Sequence, residues 1–124
     1  MTWVLVAIGG AFGALARFGL LALIPPATDR FPTATFLANV LGCFVMGAVY
    51  ILIVEKPLLN ANLKPLLTVG FLGAFTTFSS FSIEAFSLWS ADHQAIAASY
   101  LVTTVVACLF AVWAGANLCE RLFF

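Results

Sequence analysis

The run Gly70-Phe71-Leu72-Gly73-Ala74-Phe75-Thr76-Thr77-Phe78-Ser79-Ser80-Phe81-Ser82 carries two glycines, four phenylalanines, five hydroxyl side chains and no charge. It is too apolar for a solvated loop and too rich in Gly, Ser and Thr for a comfortable helix interior. Inside a membrane water cannot rescue backbone groups, so such a segment survives only where neighbouring protein satisfies its amides and carbonyls. Segments of this kind are where membrane proteins handle ions. Phe78 and Phe81 fall on one helical face, with Phe75 beside them. Aromatic edges carry partial positive charge, so rings turned edge-on beside hydroxyls and an amide make a pocket for a small anion without any formal cation. Packing is the default use of any single Phe in an apolar helix.

Other polar side chains recur at helical spacing. Thr35, Asn39 and Cys43 share one face, and Tyr100, Thr104 and Cys108 share another. An Asn amide in lipid must face protein or a watery cavity. It serves either as interhelical glue or as a donor to a transported anion. The second stripe is either an ion track or a helix contact. Gly9, Gly13 and Arg17 also recur every four residues. The two glycines read first as a close-packing face. Arg17 must snorkel or find a partner, and a structural or vestibule-field role suits it better than direct ion binding. Glu84 is the one acid placed within the membrane zone, with an interfacial position as the alternative. His93 stands alone in a loop, and Cys43, Cys108 and Cys119 lack metal-ligand spacing. The thiols therefore read as small packing residues, and an enzyme is not expected.

The elements that must position these residues follow from composition. Hydrophobic residues make up 64% of 124 and charged residues 8%, with a mean hydropathy of +1.14. A single small core cannot hide that much apolar surface, so lipid must cover the excess. Four apolar stretches of about 20 residues, at residues 3–24, 33–54, 65–89 and 95–118, nearly exhaust the chain as one four-helix transmembrane domain. Pro25 and Pro26 stop the first, Glu55-Lys56-Pro57 closes the second, Asp92-His93 follows the third, and Glu120-Arg121 ends the fourth, so both termini lie on one side. Met1-Thr2-Trp3 supplies no basic leading region, so the first span is expected to be retained rather than cleaved. The side holding the termini and the middle connector carries Lys56, Lys64 and Arg121, against Arg30 on the other. That bias is weak and permits insertion in both directions.

The central run resembles the CrcB/Fluc fluoride channel family, as do Thr35-Phe36-Leu37-Ala38-Asn39-Val40-Leu41-Gly42 and the stretch from Gly9 to Arg17. The likeness covers all four spans. It implies an antiparallel, dual-topology homodimer of all-α, four-helix subunits in a bacterial or archaeal inner membrane, with the third helix interrupted. It also implies passive export of fluoride through two pores and a structural sodium ion at the dimer centre. Self, fluoride and the lipid bilayer are the implied partners, and nucleic acid is not. Carried onto this chain, the resemblance makes Phe78 and Phe81 the paired rings of the pathway and Asn39 the pore amide. Ser80 lies beside the path, and Tyr100 and Thr104 form the polar stripe. The break is implied at residues 73–76, with the backbone carbonyls of Gly73 and Thr76 holding sodium. Arg17, Thr35 and Glu84 take vestibule or structural places. The chain departs from the family where Ala74 replaces a second Gly, Phe75 a Leu, Ser80 a Thr and Cys108 a Ser.

Two rivals stand beside this reading. A small multidrug exporter shares the length, the four helices and dual topology, but cation-drug antiport needs an acid in the first helix, where this chain has Arg17. A non-transporting assembly subunit would use the same Gly and Asn residues for helix contacts alone.

Overall fold

A computed structural model describes residues 1–124 and consists of helices and their connections. Four stretches are long and apolar enough to cross a membrane: Thr2–Leu23, Thr33–Glu55, Pro65–Ser90 and Gln94–Phe123. We label the helices α1 (Thr2–Leu23), α2 (Thr33–Glu55), α3 (residues 65–75), α4 (Phe78–Ser90) and α5 (Gln94–Phe123). α1 stops at Ile24, ahead of the two prolines. Pro65 opens α3 at a position where a missing N–H costs nothing. The last turn of α2 and the first eight residues of α3 wind more widely, with π-type hydrogen bonds.

The chain leaves helical geometry at Thr76 (φ −83°, ψ 155°) and Thr77 (φ −152°, ψ 119°). This shifts the expected position. Gly73 stays helical (φ −62°, ψ −34°), and the bond from Thr76 N–H to Leu72 O, 3.0 Å, carries α3 through its last turn. A glycine permits a break but does not impose one. What ends α3 is the capture of the next peptide by a side chain of α2, described below.

α4 and α5 meet in a tight connection. Asp92 has φ 62°, its N–H bonds to Trp89 O at 3.3 Å, and the His93 N–H bonds to Leu88 O at 2.9 Å. These are the paired bonds of a Schellman cap, with Asp in the left-handed position usually held by Gly.

Two close helix pairings set the architecture. α1 lies along α3 and α2 along α5. In the first seam a Cβ on Gly13 would strike the Phe71 carbonyl, and in the second a Cβ on Gly115 would strike the Phe44 carbonyl. Backbone therefore touches backbone, the geometry by which transmembrane helices gain dispersion contacts without a hydrophobic driving force. Two buried clusters complete the interior. Phe81, Ala85, Leu88, Ala97 and Tyr100 join α4 to α5, and Val49, Ile53 and Leu72 join α2 to α3. Many other large apolar side chains, among them Trp3, Phe18, Leu109 and Phe110, face outward, as lipid-covered helices require.

Gly115→Val is expected to destabilise the fold by at least about 1–3 kcal/mol through overpacking against rigid backbone. Gly10→Ala, where an added Cβ meets nothing within 4 Å, should unfold within about 1 kcal/mol of the parent. Unfolding of the purified protein in mixed micelles, followed by circular dichroism, checks both.

Candidate functional site

The site grows from one peptide group. The Thr77 N–H donates to Asn39 Oδ1 at 2.7 Å, and Asn39 Nδ2 donates to Thr77 O at 3.0 Å. Both residues are buried. The α2 side chain thus pairs with an extended α3–α4 residue as a neighbouring strand would, satisfying a donor and an acceptor that lipid would leave orphaned. Thr77 then starts α4, because its Oγ1 accepts the Ser80 N–H at 3.1 Å, the N-cap role for which Thr is suited. Thr77 Oγ1 also contacts the hydroxyls of Ser79 and Ser80, each at 3.2 Å.

These bonds change what the nearby carbonyls see. In a continuous helix Gly73 O would receive the Thr77 N–H, and Thr76 O would receive the Ser80 N–H. Asn39 takes the first donor and Thr77 Oγ1 takes the second. Gly73 and Thr76 therefore lose the helical partners of their carbonyls within two turns of each other.

Beside the break lies an open groove of about 300 Å³, lined by Asn39, Cys43, Phe78, Phe81, Thr104 and Cys108 among others. The rings of Phe78 and Phe81 stand 5.4 Å apart at 56°, and Phe81 meets Tyr100 edgewise at 5.0 Å and 63°. Phe81 is 4% exposed and Phe78 77% exposed, so one ring is anchored and the other forms the outer lip. Asn39 keeps one Nδ2 hydrogen beyond the bond to Thr77. Thr104 Oγ1 is buried and has no hydrogen-bond partner.

A carboxylate sits midway along α4. Thr35 Oγ1 donates to Glu84 Oε1 at 2.7 Å and the Tyr100 hydroxyl donates to Glu84 Oε2 at 2.7 Å. Glu84 thereby ties α2, α4 and α5 together. A depression of about 270 Å³ bounded by Thr35, Glu84, Arg30 and Phe31 opens next to it.

Residues 4–116 match the family described as "CrcB-like protein, Camphor Resistance (CrcB)". The chain belongs to the CrcB family. It is 49% identical over 120 residues to a protein of Saccharophagus degradans named "Fluoride-specific ion channel FluC", covering 97% of this chain and 90% of that one. A protein of the same name from Hahella chejuensis is 44% identical over 113 residues, covering 90% of this chain and 89% of that one. Another, from Paracoccus denitrificans, is 38% identical over 122 residues and covers 98% and 97%.

Within this CrcB chain the residues singled out from sequence fall into three groups. Phe78, Phe81, Asn39 and Thr104 come together around the groove. Tyr100 supports Phe81 from behind and gives its hydroxyl to Glu84, so the Tyr100–Thr104 stripe splits into a satisfied group and an open one. Ser80 does not border the groove. It shares a separate depression with Arg17, Leu15 and Phe18 on the α1 side. Two features escaped sequence reasoning. Thr77 is the hub of the break, although Thr followed three residues later by Ser at the start of a helix is an N-cap signal. Cys43 and Cys108, read as scattered thiols, line the same groove. Each stands one helical step below a polar residue already noted, Asn39 or Thr104, and only the pairing of α2 with α5 unites them.

Asn39→Ala leaves the Thr77 N–H and carbonyl buried without partners, at about 1–3 kcal/mol each. We expect a loss of at least about 2 kcal/mol in unfolding free energy and faster amide exchange at Thr77, measured by hydrogen–deuterium exchange. Exchange at Thr77 equal to the parent would show that Asn39 does not hold the break.

Proposed function

We propose that this CrcB protein is a fluoride-selective channel that lets the ion leave the cell passively along the groove between α2, α4 and α5. The observation that carries the reading is the lining of that groove: two tilted rings, a spare amide hydrogen and an unpartnered buried hydroxyl, with no cation and no carboxylate among its residues. The relatives named as fluoride-specific channels, matched over nearly their whole lengths, support the same reading. No chemical step on a substrate is involved, so the protein is not an enzyme.

Fluoride is small and strongly hydrated, and a pore must replace its water with donors while staying narrow. The Asn39 amide and the Thr104 hydroxyl supply hydrogen bonds, and the edges of Phe78 and Phe81 supply diffuse positive charge. Tyr100 holds Phe81 at its angle. Glu84, bound by Thr35 and Tyr100, fixes the three helices at the mouth beside Arg30, where positive charge favours anion entry. Arg17 adds a positive field in the depression that Ser80 borders. Cation-drug antiport lacks its acid, because α1 carries only Arg17 and Glu84 already accepts two hydroxyl bonds.

A second copy in antiparallel orientation is part of the proposal. The groove is open on one side and Phe78 is largely exposed, so a partner chain would close it and give two equivalent pores about a two-fold axis. Such an axis would also gather the Gly73 and Thr76 carbonyls of both copies. Their lost helical donors make them fit ligands for a hard cation such as sodium. When bound, that ion supplies a fixed positive charge at the dimer centre. The setting is the inner membrane of a bacterial or archaeal cell.

Electrical recording from proteoliposomes tests the reading. Fluoride should pass and chloride should not, and equal flux of the two anions would overturn it. Phe78→Ile or Phe81→Ile should each lower fluoride flux at least about tenfold, the equivalent of about 1.4 kcal/mol, with the elution volume on size exclusion unchanged. Phe86→Ile, on the same helix away from the groove, should conduct like the parent.

Orientation has its own test. Adding lysines at Leu58, Ala61 and Asn62, all exposed in the α2–α3 connection, should drive every copy into one orientation and abolish flux. Co-expression with a variant biased by Thr28→Lys and Gln94→Lys should restore it. Full flux from the first variant alone would refute the antiparallel pair.

A further inference from the structure

We propose that Cys43 and Cys108 form a two-thiolate binding site for a soft, two-coordinate metal cation of the copper(I) or silver(I) class, set in the wall of the groove. The two thiols come from different helices, α2 and α5, and line the same groove. Both line the groove with Asn39, Phe78, Phe81 and Thr104, whereas Cys119, the third thiol, is buried elsewhere on α5. Both groove thiols are partly exposed, so an ion in the groove can reach them.

The donor set selects the metal. Thiolates favour soft cations. No cluster of three or more His, Cys, Asp or Glu side chains occurs in the molecule, so a tetrahedral zinc set cannot assemble around the pair. Two thiols on the walls of one groove suit an ion that is content with two ligands. The neighbourhood supports occupancy: Thr104 Oγ1, one turn from Cys108 on the same face, is buried without a partner in the same groove.

Binding breaks two S–H bonds, forms two sulfur–metal bonds and releases two protons to water. No electron is transferred. With a monovalent ion the resulting unit carries one negative charge, placed between Asn39 and Thr104 where the proposed fluoride path runs. Metal binding therefore blocks conduction by occupying space and by repelling the anion. This consequence rests on the groove being the path, while the binding itself does not.

The experiment uses the full chain and silver nitrate in chloride-free buffer with a competing monothiol. After desalting, the wild type should retain about one silver ion per chain. Retention should fall at least about tenfold, or about 1.4 kcal/mol, in Cys43→Ser and in Cys108→Ser, and stay unchanged in Cys119→Ser. Cys43→Ala provides a second replacement should the serine form aggregate. Independently of any variant, silver should shield Cys43 and Cys108 of the wild type from N-ethylmaleimide, read by peptide mass spectrometry. Unshielded thiols, or silver retained equally by the wild type and the serine variants, would overturn the site. In proteoliposomes silver should reduce fluoride flux at least about tenfold, and dithiothreitol should restore it. Silver bound at both thiols with flux undiminished would uphold the site and refute the groove as the fluoride path.

Discussion

The peptide of Thr77 must find hydrogen bonds in a place where neither helix nor water can offer them, and the Asn39 side chain supplies both. Everything at the centre of the molecule depends on this pairing. It ends α3, frees Thr77 Oγ1 to cap α4, and aims Phe78 and Phe81 away from the line that a continuous helix would have given them. It also withholds from the Gly73 and Thr76 carbonyls the donors they would have had. One amide thus converts a hydrogen-bond obligation into a local region of available backbone oxygen and redirected rings. An isosteric apolar side chain could fill the same volume but could not meet that obligation.

Gly42 explains why Asn39 can reach, because a Cβ there would strike the Thr76 side chain and α2 therefore passes close to the break. Contact between α2 and α5 at Gly115 and Phe44, and between α1 and α3 at Gly13 and Phe71, holds each of those pairs backbone to backbone. Such seams hold by dispersion and shape rather than by expulsion of water. The Glu84 node acts in the same direction midway along α4, because two hydroxyls from separate helices converge on one carboxylate. The ties at Asn39 and Glu84 limit how far the helices that wall the groove can drift.

The chemical character of the groove follows from what is left after the ties are made. Asn39 keeps a single spare hydrogen, Tyr100 keeps none, and Thr104 keeps its whole hydroxyl. Sparse donors and polarised ring edges attract an anion without binding it as tightly as a buried guanidinium would, and conduction needs binding weak enough to permit exit. The paired thiols of Cys43 and Cys108 add little to that field while protonated. They alter it greatly if their protons are exchanged for a metal.

Amino-acid composition required a membrane protein, because 64% hydrophobic content in 124 residues has no other way to avoid water, and four apolar stretches of spanning length gave the number of helices. Span limits were legible from Pro25, Pro57 and Pro65, since proline and charge act locally. The importance of the Gly70 to Ser82 run was legible too, because its composition suits neither lipid-facing helix nor solvated loop. The position of the extended residues was not. Gly73 has the freedom to break a helix, yet the break falls at Thr76 and Thr77 because a side chain from α2, thirty-eight positions away, decides which peptide is taken. The division of Tyr100 from Thr104, the removal of Ser80 to the Arg17 side and the placing of Cys43 and Cys108 along one groove are likewise tertiary outcomes. Helical periodicity assigns each residue to a face, but only the packing of one helix against another determines what that face meets.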